Sequence, residues 1–321
     1  MSARRCRADM VGIALMLAVL SGCSPSDENA AVDVDAAAST TGPANDATTS
    51  SEVATSVLSV EPTTTTGDDQ STTEDTGTDG STTPDGCDIG PVPASAGLDP
   101  FYTLGCQIDG FWVVANDVVA PEAVARAAET VGRIFATDER LAPTIAANGI
   151  RLGVIGRNQR TTEMPEYRDL NEAFPETDWD ARARGLGATL ERPLVSAGEE
   201  NILCLPDDRY LGEDILLHEF SHVLHQFGYS ALDPDFDADL LDAYQRAIDD
   251  GTWDGTYAAT DQNEYWAEGV QSYLGRNLTA EPADGIHGPI DTRAELEAAD
   301  PALYELIDRR LGTVELARQC V

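Results

Sequence analysis

Three of the chain's four histidines stand in one short run, Ile215-Leu216-Leu217-His218-Glu219-Phe220-Ser221-His222-Val223-Leu224-His225. On a helix His218 and His222 fall one turn apart on one face, so two imidazoles can share one metal ion. Glu219 stands beside them as a carboxylate able to take a proton from water. A zinc ion that keeps a reactive water needs three protein donors and one open position. The third donor must therefore come from elsewhere in the chain. The run Asn263-Glu264-Tyr265-Trp266-Ala267-Glu268-Gly269-Val270 offers two carboxylates, Glu264 and Glu268, four residues apart on one helix face.

Both segments need a core behind them. The first carries an apolar stripe of Leu216, Leu217, Phe220, Val223, Leu224 and Phe227, nearly opposite the two histidines. The second carries Trp266, Val270, Tyr273 and Leu274 opposite the two glutamates. Two such helices on one core direct their polar faces into a shared cleft. The histidine helix is expected to begin near Gly212 or Glu213 and to stop at Gly228, and the glutamate helix to cover residues 261–276.

HEFSH followed some forty residues later by TYAATDQNEYWAEGVQSYL resembles the gluzincin metallopeptidases, in particular the family of the anthrax lethal factor catalytic domain. The resemblance covers residues 211–274. It implies a zincin-like α+β fold, a small mixed sheet with an active-site helix and a mostly helical C-terminal part. It also implies one Zn2+ held by His218, His222 and Glu264, the first glutamate of EYWAE, with Glu219 as general base. By the same resemblance Glu268 orients a zinc-bound imidazole, that of His218, and Tyr257, seven residues before Glu264, stabilises the oxyanion.

Other candidates compete less well. Asp254 in GTWDGTY resembles an aspartate ligand motif of the aspzincins, but it stands far beyond the usual dozen residues and Ala258 replaces the closing glycine. The pattern HExxHxxGxxH fails, with His225 at the glycine position and Gly228 at the last histidine. His225 is then a supporting residue near the helix end. His287, before Gly288-Pro289, is on a loop, either assisting the oxyanion or simply exposed. The aspartates 233, 235, 237 and 239 fail as a calcium loop, because Ala238 and Tyr244 occupy the glycine and glutamate positions.

Elsewhere the pattern predicts a strand at 111–115, a helix from Pro121 to Ala136, a short helix over 139–147 and a strand at 150–155. Residues before Gly110 look irregular, as does the stretch 157–191, which is expected to line the site or to form a lid. Thr189-Leu190 and residues 201–205 are candidate strands. A helix starts at Asp233-Pro234-Asp235 and runs through Ile248, and C-terminal helices cover 293–311.

The chain has 321 residues and a net charge of −37, and its 20 basic residues are all arginine. Such a charge repels nucleic acid and anionic headgroups, so neither is an expected partner. Arg4, Arg5 and Arg7 precede an apolar run from Met10 to Leu20 and then Leu20-Ser21-Gly22-Cys23, which resembles a bacterial lipoprotein signal. On that resemblance residues 1–22 are removed and Cys23 carries the lipid, the only link to the membrane. Residues 23–86, rich in Ser, Thr and Asp, cannot bury a core and are expected to form a disordered tether. Residues 87–321 are expected to form the domain, a monomer held outside the cytoplasm. Cys87, Cys106, Cys204 and Cys320 suggest two disulfides, with Cys87–Cys106 and Cys204–Cys320 the preferred pairing.

The chemistry expected is zinc-dependent hydrolysis of a peptide or protein substrate. The alternatives are a non-catalytic surface lipoprotein with a structural or vestigial zinc site, and a zinc amidase of a non-protein substrate.

Overall fold

The computed structural model describes residues 87–316. The signal segment, Cys23, the tether and Cys320 lie outside the described residues. The fold is mixed α+β around a six-stranded sheet in the order β1-β2-β3-β4-β6-β5. The strands are β1 (Gly90–Pro91), β2 (Leu104–Ile108), β3 (Phe111–Ala115), β4 (Arg151–Ile155), β5 (Gly185–Leu186) and β6 (Leu194–Gly198). Strands β3, β4 and β6 are parallel; β1, β2 and β5 add to them antiparallel.

The β2–β3 hairpin turns on Asp109-Gly110, both at positive φ (47° and 95°), the backbone a two-residue turn demands. Residues 104–108, expected to be irregular, therefore form a strand. Their alternation is weak because Gly105 must leave room: a Cβ there would stand 2.5 Å from the Val113 carbonyl oxygen. Cys106 in β2 is disulfide-bonded to Cys87 as expected. Cys204 is also disulfide-bonded.

Helices α1 (Pro121–Phe135) and α2 (Leu141–Ala146) carry the chain from β3 to β4, close to the predicted spans. The strands' period of two divides their side chains between two apolar layers. Val113, Ala115, Leu152, Val154, Val195 and Ala197 face the larger core, which also holds α1 and the histidine helix. Val114, Ile155 and Leu194 face the opposite side, where Met164, Tyr167, Leu170 and Trp179 cover them. This corrects the expectation for the irregular stretch: most of it forms the second layer of the sheet. Its four apolar anchors are too widely spaced to show a helical or strand period.

Two candidate strands are also corrected. Thr189-Leu190 belongs to the connection between β5 and β6, and residues 199–202 form a helical turn (Glu199–Ile202). The buried strand is instead Leu194–Gly198, directly before that turn. A short apolar run such as residues 201–205 does not distinguish strand from helix by itself.

The histidine helix is α3 (Ile215–Val223), and it continues through a π-helical segment, Leu224–Tyr229, to Leu232. Asp214 caps it by accepting from the Leu217 amide at 3.0 Å. Gly228 does not end the helix as expected. A Cβ there would lie 3.0 Å from Leu141 Cδ2, so the glycine allows α2 to approach. Helix α4 (Phe236–Asp249) leads to the glutamate helix α5 (Gln262–Tyr273), and α6 (Arg293–Ala299) and α7 (Pro301–Leu311) close the domain. Among the described residues no helix is long and apolar enough to cross a membrane.

Candidate metal centre

Phe220 seats α3 by packing edge-on against Phe111 and Phe135, at centroid distances of 6.0 and 5.5 Å. Burying such a side chain contributes roughly 1.5–3 kcal/mol. With its apolar stripe held against the sheet, α3 presents His218 and His222 on the other face. Helix α5 is capped by Asp261, which accepts from the amides of Asn263 and Glu264. Trp266 Nε1 donates to the Ser221 carbonyl of α3 at 2.9 Å, fixing the two helices against each other. A Cβ at Gly269 would meet Leu303 at 2.4 Å, so α7 packs directly on the back of α5.

Three donor atoms converge as a result. His218 Nε2 is 3.1 Å from Glu264 Oε2 and 3.3 Å from His222 Nε2, and the His222–Glu264 edge is 3.5 Å. A tetrahedral ion with bonds of about 2.0–2.1 Å has donor atoms about 3.3 Å apart. The triangle and its two-imidazole, one-carboxylate composition therefore fit a single zinc-sized ion. Burial alone would raise the Glu264 carboxyl, but its bonds to His218 and His222 outweigh that and hold it far below the usual carboxylate range. Burial likewise opposes charge on His218, and Glu264, Glu268 and Glu219 together overcome it, so the ring keeps a proton well above its ordinary range. Binding a cation here must displace that proton.

Glu219 stands at the side of the triangle. Burial raises its carboxyl against the opposing pull of His218 and His222. Above it runs the end of the irregular stretch. A Cβ on Gly185 would lie 3.2 Å from Glu219 Cγ, and one on Gly187 would lie 3.5 Å from Glu219 Oε2. This part of the stretch does line the site, and β5 is an edge strand of the sheet. Glycines at alternate positions in Arg184-Gly185-Leu186-Gly187 were the signal for a close backbone approach.

Tyr257 lies in a 3-10 turn (Tyr257–Ala259), and its hydroxyl is 3.3 Å from Glu264 Oε1. Burial first, then the charges of Glu264 and Glu219, push its ionisation far upward, so it remains a proton donor. Its ring stacks on His218 at 6.3 Å, and its amide donates to the Ile286 carbonyl at 2.7 Å. Glu268 Oε1 is 3.4 Å from His218 Nδ1, while its Oε2 accepts from Asn277 at 2.8 Å. A closer partner of Nδ1 is Gln271 Oε1 at 2.8 Å, which the motif left unmarked although it lies three residues beyond Glu268.

The competing residues fall elsewhere. Asp254 is exposed in the turn beside Gly251. His225 is buried against Phe236 and bonds Asp237 at 3.1 Å. His287 lies 3.6 Å from Glu213 and 3.5 Å from Asp284, outside the triangle. Glu213 itself lies close enough to His218 and Glu268 for their ligand-type atoms to form a second group.

No family model matches the chain, and no curated protein matches it.

Proposed function

We propose that the chain is a zinc-dependent peptidase of zincin-like fold, anchored outside the cytoplasm through a lipid on Cys23 and acting as a monomer on peptide or protein substrates. The observation that carries this reading is the triangle of His218, His222 and Glu264, with Glu219 beside it and an unpaired strand edge above. His218, His222 and Glu264 would hold one Zn2+. When bound, the ion supplies Lewis acidity, bringing the pKa of a water towards ~7 and polarising a carbonyl.

Glu219 accepts the proton of the attacking water and delivers it to the leaving amine. Tyr257 leaves Glu264 and donates a hydrogen bond from its hydroxyl, which keeps its proton, to the carbonyl oxygen as negative charge develops there. The outer edge of β5 has no strand neighbour among the described residues, so an extended peptide can add to it by main-chain hydrogen bonds. Gly185 lets the β5 backbone settle against Ile215 of α3, and both glycines bring that backbone close to Glu219, so a peptide added to the edge runs near the general base. The strand edge favours a peptide over a small amide.

Metal analysis paired with a peptide-library cleavage assay, with and without chelator, tests the reading. The expected result is one zinc per chain and cleavage that stops on chelation and returns with zinc. Stoichiometric zinc without chelator-sensitive cleavage would move the chain to a non-catalytic zinc lipoprotein. Cleavage confined to non-peptide amides would make it an amidase.

A further inference from the structure

We propose that Gln271 is a positioning residue that fixes the ring of His218 for the metal, a role resting on the zinc reading above. Gln271 and Glu268 both approach His218 Nδ1, and their geometry separates them. Gln271 Oε1 is 2.8 Å away and hydrogen-bonded. Glu268 Oε1, at 3.4 Å, makes no hydrogen bond, and its other oxygen is taken by Asn277.

The orientation of the amide is set from behind. Gln271 Nε2 donates to the Asp214 carbonyl at 3.1 Å and lies 3.4 Å from Glu213 Oε1. Both are acceptors, so the NH2 group must face them and the oxygen must face His218. An amide oxygen can only accept, which makes Nδ1 the donor, so the proton that a cation displaces is the one on Nε2, and the lone pair it uncovers there is directed at His222 and Glu264. Gln271 is fully buried, so water does not substitute for either contact. Asp214 also caps α3 through its side-chain Oδ1, so the residue that starts the histidine helix orients, through its main-chain carbonyl, the amide that orients the first histidine. Glu213 in turn is held next to His287, which gives the loop histidine a place in the same support.

A neutral amide suits this position. Glu219, Glu264 and Glu268 already bring three carboxylates to the site, and a further one would face the Asp214 carbonyl and Glu213. Metal-bound histidines commonly depend on such partners, whose loss weakens metal binding by about 10- to 100-fold.

Zinc dissociation constants, measured by chelator competition on the full chain, test the role in wild type, Gln271→Met and Glu268→Met. The expected result is a loss of about 10- to 100-fold in Gln271→Met and a smaller loss in Glu268→Met. Unchanged affinity in Gln271→Met, or the reverse ranking, overturns the role while leaving the peptidase reading standing. A wild-type chain that binds no zinc overturns the peptidase reading, and the role with it. Should Gln271→Met not fold, wild type labelled with 15N-glutamine gives the answer. The Gln271 side-chain amide resonances shift on zinc loading if the amide holds His218, and stationary resonances overturn the role.

Discussion

The indole N–H of Trp266 donates to the main-chain carbonyl of Ser221 at 2.9 Å, with both residues fully buried. This single bond sets the glutamate helix against the histidine helix at the level of the site. It places Glu264 two residues before Trp266 and His222 one residue after Ser221, so the two donors meet. Trp266→Phe removes the N–H and with it one of two bonds to the Ser221 carbonyl, which still accepts from the Leu224 amide, at a cost of roughly 0.5–1.5 kcal/mol in addition to lost packing. Denaturant unfolding of the metal-free chain measures that loss, and weaker zinc binding should accompany it.

Glu219 and Glu264 lie within the same small cleft, yet their substitutions should separate. Glu219→Gln is expected to abolish cleavage with zinc retained, whereas Glu264→Ala removes a donor and loses the ion. Tyr257→Phe should keep zinc and lose about 10²–10³ in kcat, the usual effect of one oxyanion donor. Zinc content and kcat measured on the three variants check this. Equal zinc loss in Glu219→Gln and Glu264→Ala would count against the roles.

Gly185 faces Ile215 of α3, and an added Cβ would stand 2.5 Å from Ile215 Cγ2 and 3.0 Å from the Ser196 carbonyl. Gly185→Ala should cost roughly 1–3 kcal/mol, typical of overpacking. Displacing β5 also displaces the peptide-binding edge, so KM should rise more than zinc affinity falls. Steady-state kinetics beside a thermal melt distinguish the two effects.

His225 and Ser230 both bond Asp237, at 3.1 and 2.6 Å. The bond from His225 lowers the Asp237 carboxyl, partial burial opposes it, and Ser230 lowers it further. A lowered folded-state pKa gives stability that is full above the unfolded value of about 3.9 and is lost as pH falls through the folded value. The stability gap between wild type and Asp237→Asn should therefore hold steady at neutral pH and close in acid. Urea titrations from neutral pH into the acid range follow that gap.

Much of this architecture is legible in local pattern. The spans of β3, α1, α2, β4 and α4 through α7 follow from apolar periodicity, caps and prolines, because short-range contacts dominate those elements. The sequence also singled out His218, Glu219, His222, Glu264 and Tyr257, since each sits at a fixed offset within a motif. Tertiary structure decided the rest. Strand β5 is two residues long and is a strand only through its pairing with β6. The stretch 157–183 has no period because it covers the far face of the sheet with scattered anchors. Gln271 takes its place beside His218 through the crossing of α3 and α5, fixed by Trp266 on Ser221, and no spacing within either helix encodes that crossing.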